Sequence, residues 1–380
     1  MVVKGSEWRV ADRPEDFYRF RVTPGTIAQS EDGQRSETGP GHFEWWYADA
    51  ILKNGAYVVV VFFTKPLDEQ ASGMAPRVSI SIAEPGKEIV TVNGDLGADA
   101  FVASTSACDV SIGTNTFVGD LGVYQVVAKV DQVELTLKLR GLGQPQRFGT
   151  GHLLFGPAGK ERFFAWLPSI PHAVAEVTYR IGKGPAVEAM PGFGYHDHNW
   201  GDAPIGSLMH HWYWARATID GHTVIAAHIV PQKSFGAGAF TLLYIEKAGQ
   251  VVASDYQNVV FTGVDDQVDP VTLKPVATTT SYTLVQGKTR FVVSFQVKQT
   301  LLHQMFDKTR PPPSDPELSA AYHRFGGVVT LEIGDDGGAA KPPKQGQTLW
   351  ELMYLGSAGD PKALSLYTHS LTQAQPKSGT

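Results

Sequence analysis

The chain has 380 residues, enough for one or two sizeable cores, and its 32 basic and 38 acidic residues give a formal net charge of −6. No basic block is present, which argues against a nucleic-acid surface, and the single Cys108 rules out an internal disulfide framework or a thiolate metal cluster. The longest apolar run, Tyr57–Phe63, is far short of the roughly 20 residues of a membrane helix. Residues 1–8 lack the basic and apolar regions of an export signal, so a soluble, cytoplasmic protein is expected.

With 11% aromatic residues, eight Trp, 40 Gly and 24 Pro, the composition suits short strands, tight turns and an aromatic-lined interior. Length favours two domains, placed at 1–190 and 191–380, with residues 1–40 an irregular arm. Asn54-Gly55 separates the apolar run Trp45–Leu52 from the β-branched run Tyr57–Phe63, which predicts a strand, a type I′ turn and a returning strand. Further strands are predicted over Arg77–Ala83, Ile89–Val92, Phe117–Val118, Tyr124–Val130 and Val133–Leu139, the last with clean alternation. Phe163–Pro168 reads as a second hairpin region and Ala173–Ile181 as another strand, and no amphipathic helix stands out in this half.

Past the midpoint, residues 212–225 can be laid on residues 46–59 without a gap, matching Trp-Tyr, the turn glycine and the β-branched pair that follows. That superposition predicts two related halves. Strands are expected over Phe240–Glu246, Val251–Ala253, Val259–Thr262, Ser281–Val285, Arg290–Val297, Val328–Ile333 and Thr348–Leu355. Residues 308–317 read as a rigid loop, Glu317–Arg324 as the one short helix, and the last residues as frayed. Consecutive hairpins with so little helix predict an all-β fold of two antiparallel barrels or sandwiches. The ligand site then lies inside a barrel or in the cleft between two.

Gly192–Gly201 concentrates a phenol (Tyr195), two imidazoles (His196, His198), a carboxylate (Asp197), an amide (Asn199) and an indole (Trp200). No ordinary strand or turn needs that density. Protonation of an alkene does need a carboxylic acid in a dry pocket, where desolvation keeps the proton on at neutral pH. Asp197 fills that role, and the faces of Trp166, Trp200, Trp212 and Trp214 stabilise a cation. Tyr195, His196 and His198 orient the acid or return its proton, with one histidine at most entering the pocket. This chemistry requires no cofactor.

Structural readings stand beside these. Asp197 and Asn199 suit a turn, Trp46 and Trp212 suit barrel plugs, Arg216 suits an ion pair, and Glu44 suits a domain-interface pair. A metal bound by His196, His198, His210 and His211 with Asp197 and Asp202 is the weaker alternative.

Taken together, Glu44-Trp45-Trp46-Tyr47, the Trp166–Pro171 segment, Gly194–Gly201 and Trp212-x-Trp214-x-Arg216 resemble the carotenoid 1,2-hydratase (hydroxyneurosporene synthase), AttH-like superfamily. That group is related to tocopherol cyclases and lipocalin-type Diels–Alderases, and the resemblance runs from about residue 40 to 355. It implies two tandem lipocalin-like units and a hydrophobic isoprenoid or polyene substrate. Tyr195-x-Asp197 matches the hydratases' acid pair, whereas their upstream His-x-Trp reads Phe164-Ala165-Trp166 here. The missing histidine favours cyclisation over hydration. Candidate substrate contacts are Trp166, Phe164, Trp200, Trp212, Trp214, Arg216, Glu44, Trp46 and Asn199. A pericyclic cyclase and a non-catalytic lipid carrier are the alternatives, with no nucleic-acid partner expected and transient membrane-surface contact left open.

Overall fold

The computed structural model describes residues 7–67, 69–306, 317, 319–335 and 342–357. The first half is a 13-stranded sheet of β1 (Trp8–Val10), β2 (Phe43–Leu52), β3 (Tyr57–Phe63), β4 (Arg77–Ala83), β5 (Val90–Asp95), β6 (Phe101–Ala103), β7 (Cys108–Ile112), β8 (Asn115–Gly119), β9 (Val123–Val130), β10 (Val133–Gly141), β11 (His152–Phe155), β12 (Arg162–Ile181) and β13 (Val187–Gly201). Its main path runs β5-β4-β3-β2-β13-β12-β10-β9-β8-β7-β6, with β11 and β1 added on β12. The second half is a nine-stranded sheet of β14 (Met209–Ile219), β15 (His222–Pro231), β16 (Phe240–Lys247), β17 (Gln250–Asp255), β18 (Val260–Val268), β19 (Pro275–Gln286), β20 (Thr289–Met305), β21 (Ala321–Asp335) and β22 (Lys344–Tyr354). Its order is β17-β16-β15-β14-β22-β21-β20-β19-β18. In both halves a four-stranded meander leads off and the last strand returns to pair with the strand that opened it. All pairings are antiparallel, and the fold is the tandem all-β, lipocalin-like one expected.

The three largest apolar cores follow from strand alternation. One fills the first sheet's interior, where Trp46, Phe62, Phe117 and Leu137 meet and β4 touches β9 across it. A second fills the other sheet's interior around Tyr282, Phe295 and Trp350. The third lies between the sheets and joins Trp45, Tyr47 and Trp166 to Trp212, Trp214 and Met353. β2 is therefore buried along its whole length, with alternate residues serving different cores.

Several expectations change. The division after residue 190 cuts through β13, whose pairings all lie in the first sheet; the sheets change over between Gly201 and Met209. The arm is not irregular throughout, for it holds β1 and a helix, α1 (Pro14–Phe20). Pro14 opens that helix, Glu15 and Asp16 complement its N-terminal dipole, and Arg21 ends it in the left-handed region. Residues 162–181 form one long strand with register shifts near Ile170. Ala321–Arg324 begin strand β21 where a helix was expected. Of the loop expected at 308–317 only Glu317 is described, and the last residues also lie outside the described range.

Both turns of the compared hairpins are present, but they differ. Asp220 and Gly221 both have positive φ, 48° and 73°, as a two-residue type I′ turn requires. In the first hairpin Leu52 and Ala56 close a three-residue loop, with positive φ at Gly55 alone. The extra residue shifts the facing by one position. Trp46 points into the first core, whereas Trp212 faces the cleft, so Trp45 and Tyr47 are the facing counterparts of Trp212 and Trp214. Among the described residues, no helix is long and apolar enough to cross a membrane.

Candidate functional site

β13 is the seam strand, flanked by β2 and β12. Glycine lets it approach both neighbours: a Cβ on Gly194 would stand 2.9 Å from the Asp49 carbonyl oxygen and collide with Leu139. Beyond it the side chains divide strictly by alternation. Tyr195, Asp197 and Asn199 face the cleft between the sheets, and His196, His198 and Trp200 face the other way.

On the cleft side, Asp197 Oδ2 accepts hydrogen bonds from Trp166 Nε1 and the Tyr195 hydroxyl, each at 2.8 Å. Its Oδ1 accepts one from Asn199 Nδ2 at 2.8 Å. The group stands on the wall of a cavity lined by Phe164 and Trp166 from the first half and Trp212, Trp214 and Ile229 from the second, its empty space about 480 Å³ counting what is open to solvent. This cavity lies between the halves, whereas apolar side chains pack the interior of each sheet. Burial pushes the Asp197 carboxyl up to about 7, although the Tyr195 and Trp166 hydrogen bonds and the His196 charge pull the other way. Burial likewise raises Tyr195 well above the usual phenol range, so it remains a donor.

Across the cavity stands Glu351 of β22, the strand that occupies in the second sheet the place of β13 in the first. The two carboxyls are held alike, each by one indole and one phenol. Glu351 Oε1 accepts from Trp212 Nε1 at 3.1 Å and Oε2 from the Tyr322 hydroxyl. Burial raises its pKa too, against the hydrogen bonds from Tyr322 and Trp212 and the charge of Arg324. Trp214 Nε1 is buried with no partner among the described residues, leaving a donor available on the cavity wall. A second chamber, its empty space about 860 Å³ counting what is open to solvent, adjoins the first between the halves and shares Trp45, Tyr47, Trp212 and Glu351 with it.

The opposite face of β13 does a different job. His196 Nε2 meets Asp32 at 3.1 Å, and His198 Nε2 meets Glu44 at 2.7 Å while its ring stacks on Trp46. Asp32 also accepts from the Tyr124 and Ser169 hydroxyls, and Glu44 from the Arg35 and Ser36 backbone amides. These bonds clasp the arm to the first sheet. At most one histidine was expected in the pocket, on the premise that the two point to opposite faces; they share a face, as residues two apart in a strand do, and neither lines the cavity. For the same reason Trp46, Trp200 and Glu44 lie away from the cavity: Trp200 packs with Ala165 and Leu167, and Glu44 pairs within the first half, not between halves.

Arg216 forms an ion pair with Asp49 of β2, tying the sheets together, and does not line either chamber. Of the sequence candidates, Asp197, Tyr195, Asn199, Trp166, Phe164, Trp212 and Trp214 do come together. The metal candidates do not: Asp197 is turned from both histidines, while His210 meets Glu317 at 2.7 Å. Among the described residues, Asp32, Cys108 and His196 form a three-residue group of ligand type inside the first core, with Asp32 and His196 already engaged in the clasp and the Cys108 thiol against the Phe117 carbonyl. Sequence reading missed Trp45, Tyr47, Glu351, Tyr322 and Arg324. The available signal was a lone carboxylate in the apolar run Leu349–Leu355.

No protein-family profile matches the chain. Hydroxyneurosporene dehydrogenase of Chlorobaculum tepidum is 26% identical over 208 residues, 47% of this chain but only 54% of that relative's length. A quinolone epoxide rearrangement protein of Emericella nidulans is 25% identical over 266 residues, 62% of this chain and 68% of the relative. Among solved structures, CghA with Sch210972 has a TM-score of 0.62 at 15% identity, covering 84% of this chain and 89% of that one. An AttH-type protein from Nitrosomonas europaea has a TM-score of 0.58 at 19% identity, with 87% and 98% covered. Kievitone hydratase from Nectria haematococca has a TM-score of 0.55 at 15% identity, with 88% and 94% covered. The chain is thus similar in part of its sequence to these two relatives and shares the tandem all-β fold of these three structures.

Proposed function

We propose that the chain is an enzyme that hydrates or cyclises a hydrophobic small molecule, with Asp197 protonating a carbon–carbon double bond. The observation that carries this reading is a carboxyl with its pKa pushed up to about 7 on the wall of an aromatic cavity. Near neutrality it holds a proton in a place where water is scarce. Two donors occupy Oδ2, so Oδ1 is the oxygen that carries the proton, with the Asn199 amide turned to accept or donate as required. Transfer of that proton to one alkene carbon leaves a cation on the other and an aspartate on the protein. Facing rings of Trp166, Trp212 and Trp214 stabilise such a cation by ~2 kcal/mol or more when desolvated. Attack by water or by a nucleophile of the substrate then releases a proton, which returns to Asp197.

Phe164 lines the cavity where the resembling hydratases carry histidine, which supports quenching from within the substrate, that is, cyclisation. An acid-initiated step would also serve an epoxide rearrangement, the reaction named for the Emericella relative. Asp197→Asn is expected to lower kcat by ~10²–10⁴-fold, measured on linear polyenes and prenylated phenols after mass spectrometry identifies the co-purified ligand. The wild-type rate should fall as pH rises through about 7, because only protonated Asp197 can donate. Full turnover by Asp197→Asn would sink the proton-donor role.

A pericyclic reaction is the second reading, favoured by the aromatic walls and by a small molecule bound in the same fold in CghA. In that case Asp197→Asn retains most activity and Trp212→Ala loses it.

A further inference from the structure

The second chamber differs in chemistry from the first. Its outer wall carries Ser79, Ser81, Thr91 and Asn93 on β4 and β5, with Arg77 engaged by Asp95. Deeper in, next to the shared wall, stands Arg324. This side chain is 95% buried, at 5% exposure. Its Nε donates to the Tyr322 hydroxyl at 3.1 Å, and its guanidinium lies over the Tyr322 ring. Nη1 and Nη2 have no hydrogen-bond partner among the described residues, and no carboxylate there pairs with them. Glu351 reaches Arg324 only through Tyr322, and Asp49 is taken by Arg216 and Tyr47.

An arginine stays charged at any pH a protein survives, and a buried charge without a partner is costly. A guanidinium edge facing a cavity suits the two oxygens of a carboxylate, or an enolate with a neighbouring carbonyl. We infer that the outer chamber is the seat of an anionic oxygen head group of the substrate, held by Nη1 and Nη2 of Arg324. The apolar reacting portion then extends past Trp45 and Tyr47 to Asp197. This rests on the proposed function only for which end reacts. The substrate class becomes a polyene or prenyl chain ending in an acid. The groups facing Arg324 are Tyr322 on its own strand, Glu351 on β22, and Tyr47 and Asp49 on β2. Burial raises Tyr47, Tyr322 and Glu351, which keeps the phenols neutral and weakens the competition Glu351 offers to an incoming anion.

Retinoic acid and retinol share one polyene chain and differ in the head group, and both quench tryptophan fluorescence. The wild-type protein should bind the acid about ten-fold or more tightly than the alcohol. The preference should vanish when the pH drops below the acid's own pKa, a test that needs no variant. Arg324→Gln should bring the ratio near one while leaving retinol binding in place, and Arg324→Lys should restore part of it. Equal binding of acid and alcohol by the wild type, or a preference that survives in Arg324→Gln, overturns the inference. Asp197→Asn separates the two proposals: it should lose turnover yet keep the acid preference.

Discussion

At the scale of single residues, the polar cluster on β13 holds two unlike chemistries back to back. Asp197 is raised by burial to about 7. Asp32 is equally buried, yet the charge and hydrogen bonds of His196 outweigh burial and hold it below its ordinary 3.8. His196 in turn is raised above 6.5, the Asp32 charge overcoming desolvation. Asp32 therefore contributes stability above pH 3.8 that is lost as pH falls through its lowered folded value. The share from His196 is complete below 6.5 and is lost as pH rises through its raised folded value. Urea unfolding of wild type against Asp32→Asn should show the largest difference between about pH 4 and 6.5, shrinking on both sides. A difference that stays flat from pH 3 to 9 would contradict an ionic clasp.

At the scale of elements, β13 needs glycine where it passes between β2 and β12. Gly194→Ala sets a methyl against the Asp49 carbonyl and Leu139, and should destabilise by ~1–3 kcal/mol, read as a lower urea midpoint. Gly73→Ala, with nothing within 4 Å of the added carbon, is the control and should be silent. The strands were largely legible because Asn-Gly and Asp-Gly punctuate apolar runs and because Val133–Leu139 alternates cleanly. Tyr195-x-Asp197 was legible only through the resemblance to the hydratases, whose acid pair it matches; the strand brings the two together because residues two apart share a face. The histidines were misjudged because β13 is polar on both sides, so the pattern does not say which side meets ligand. Glu351, Tyr322 and Arg324 were missed because β22 meets β14 across more than a third of the chain, a pairing that no local signal announces.

At the scale of the whole molecule, the site exists only while the two sheets stay docked. The Arg216–Asp49 pair lies in that contact, both side chains buried. Arg216→Met strands the Asp49 carboxyl and should cost about 3–5 kcal/mol. Adding Asp49→Leu should recover much of the loss, because two apolar groups then replace the pair. Equal stability of Arg216→Met and wild type in urea would show the pair to be dispensable. The matching strand orders, with Asp197 on β13 facing Glu351 on β22, make the chain resemble a dimer joined end to end. A symmetric pair of identical subunits would be obliged to offer a ligand the same group from both sides. Joining the copies removes that obligation: one carboxyl keeps the company of an indole, a phenol and an amide, all uncharged, while its counterpart has acquired a guanidinium neighbour. A long molecule lying across the seam would meet a different chemistry at each end, and so would have a head and a tail assigned before any bond changes.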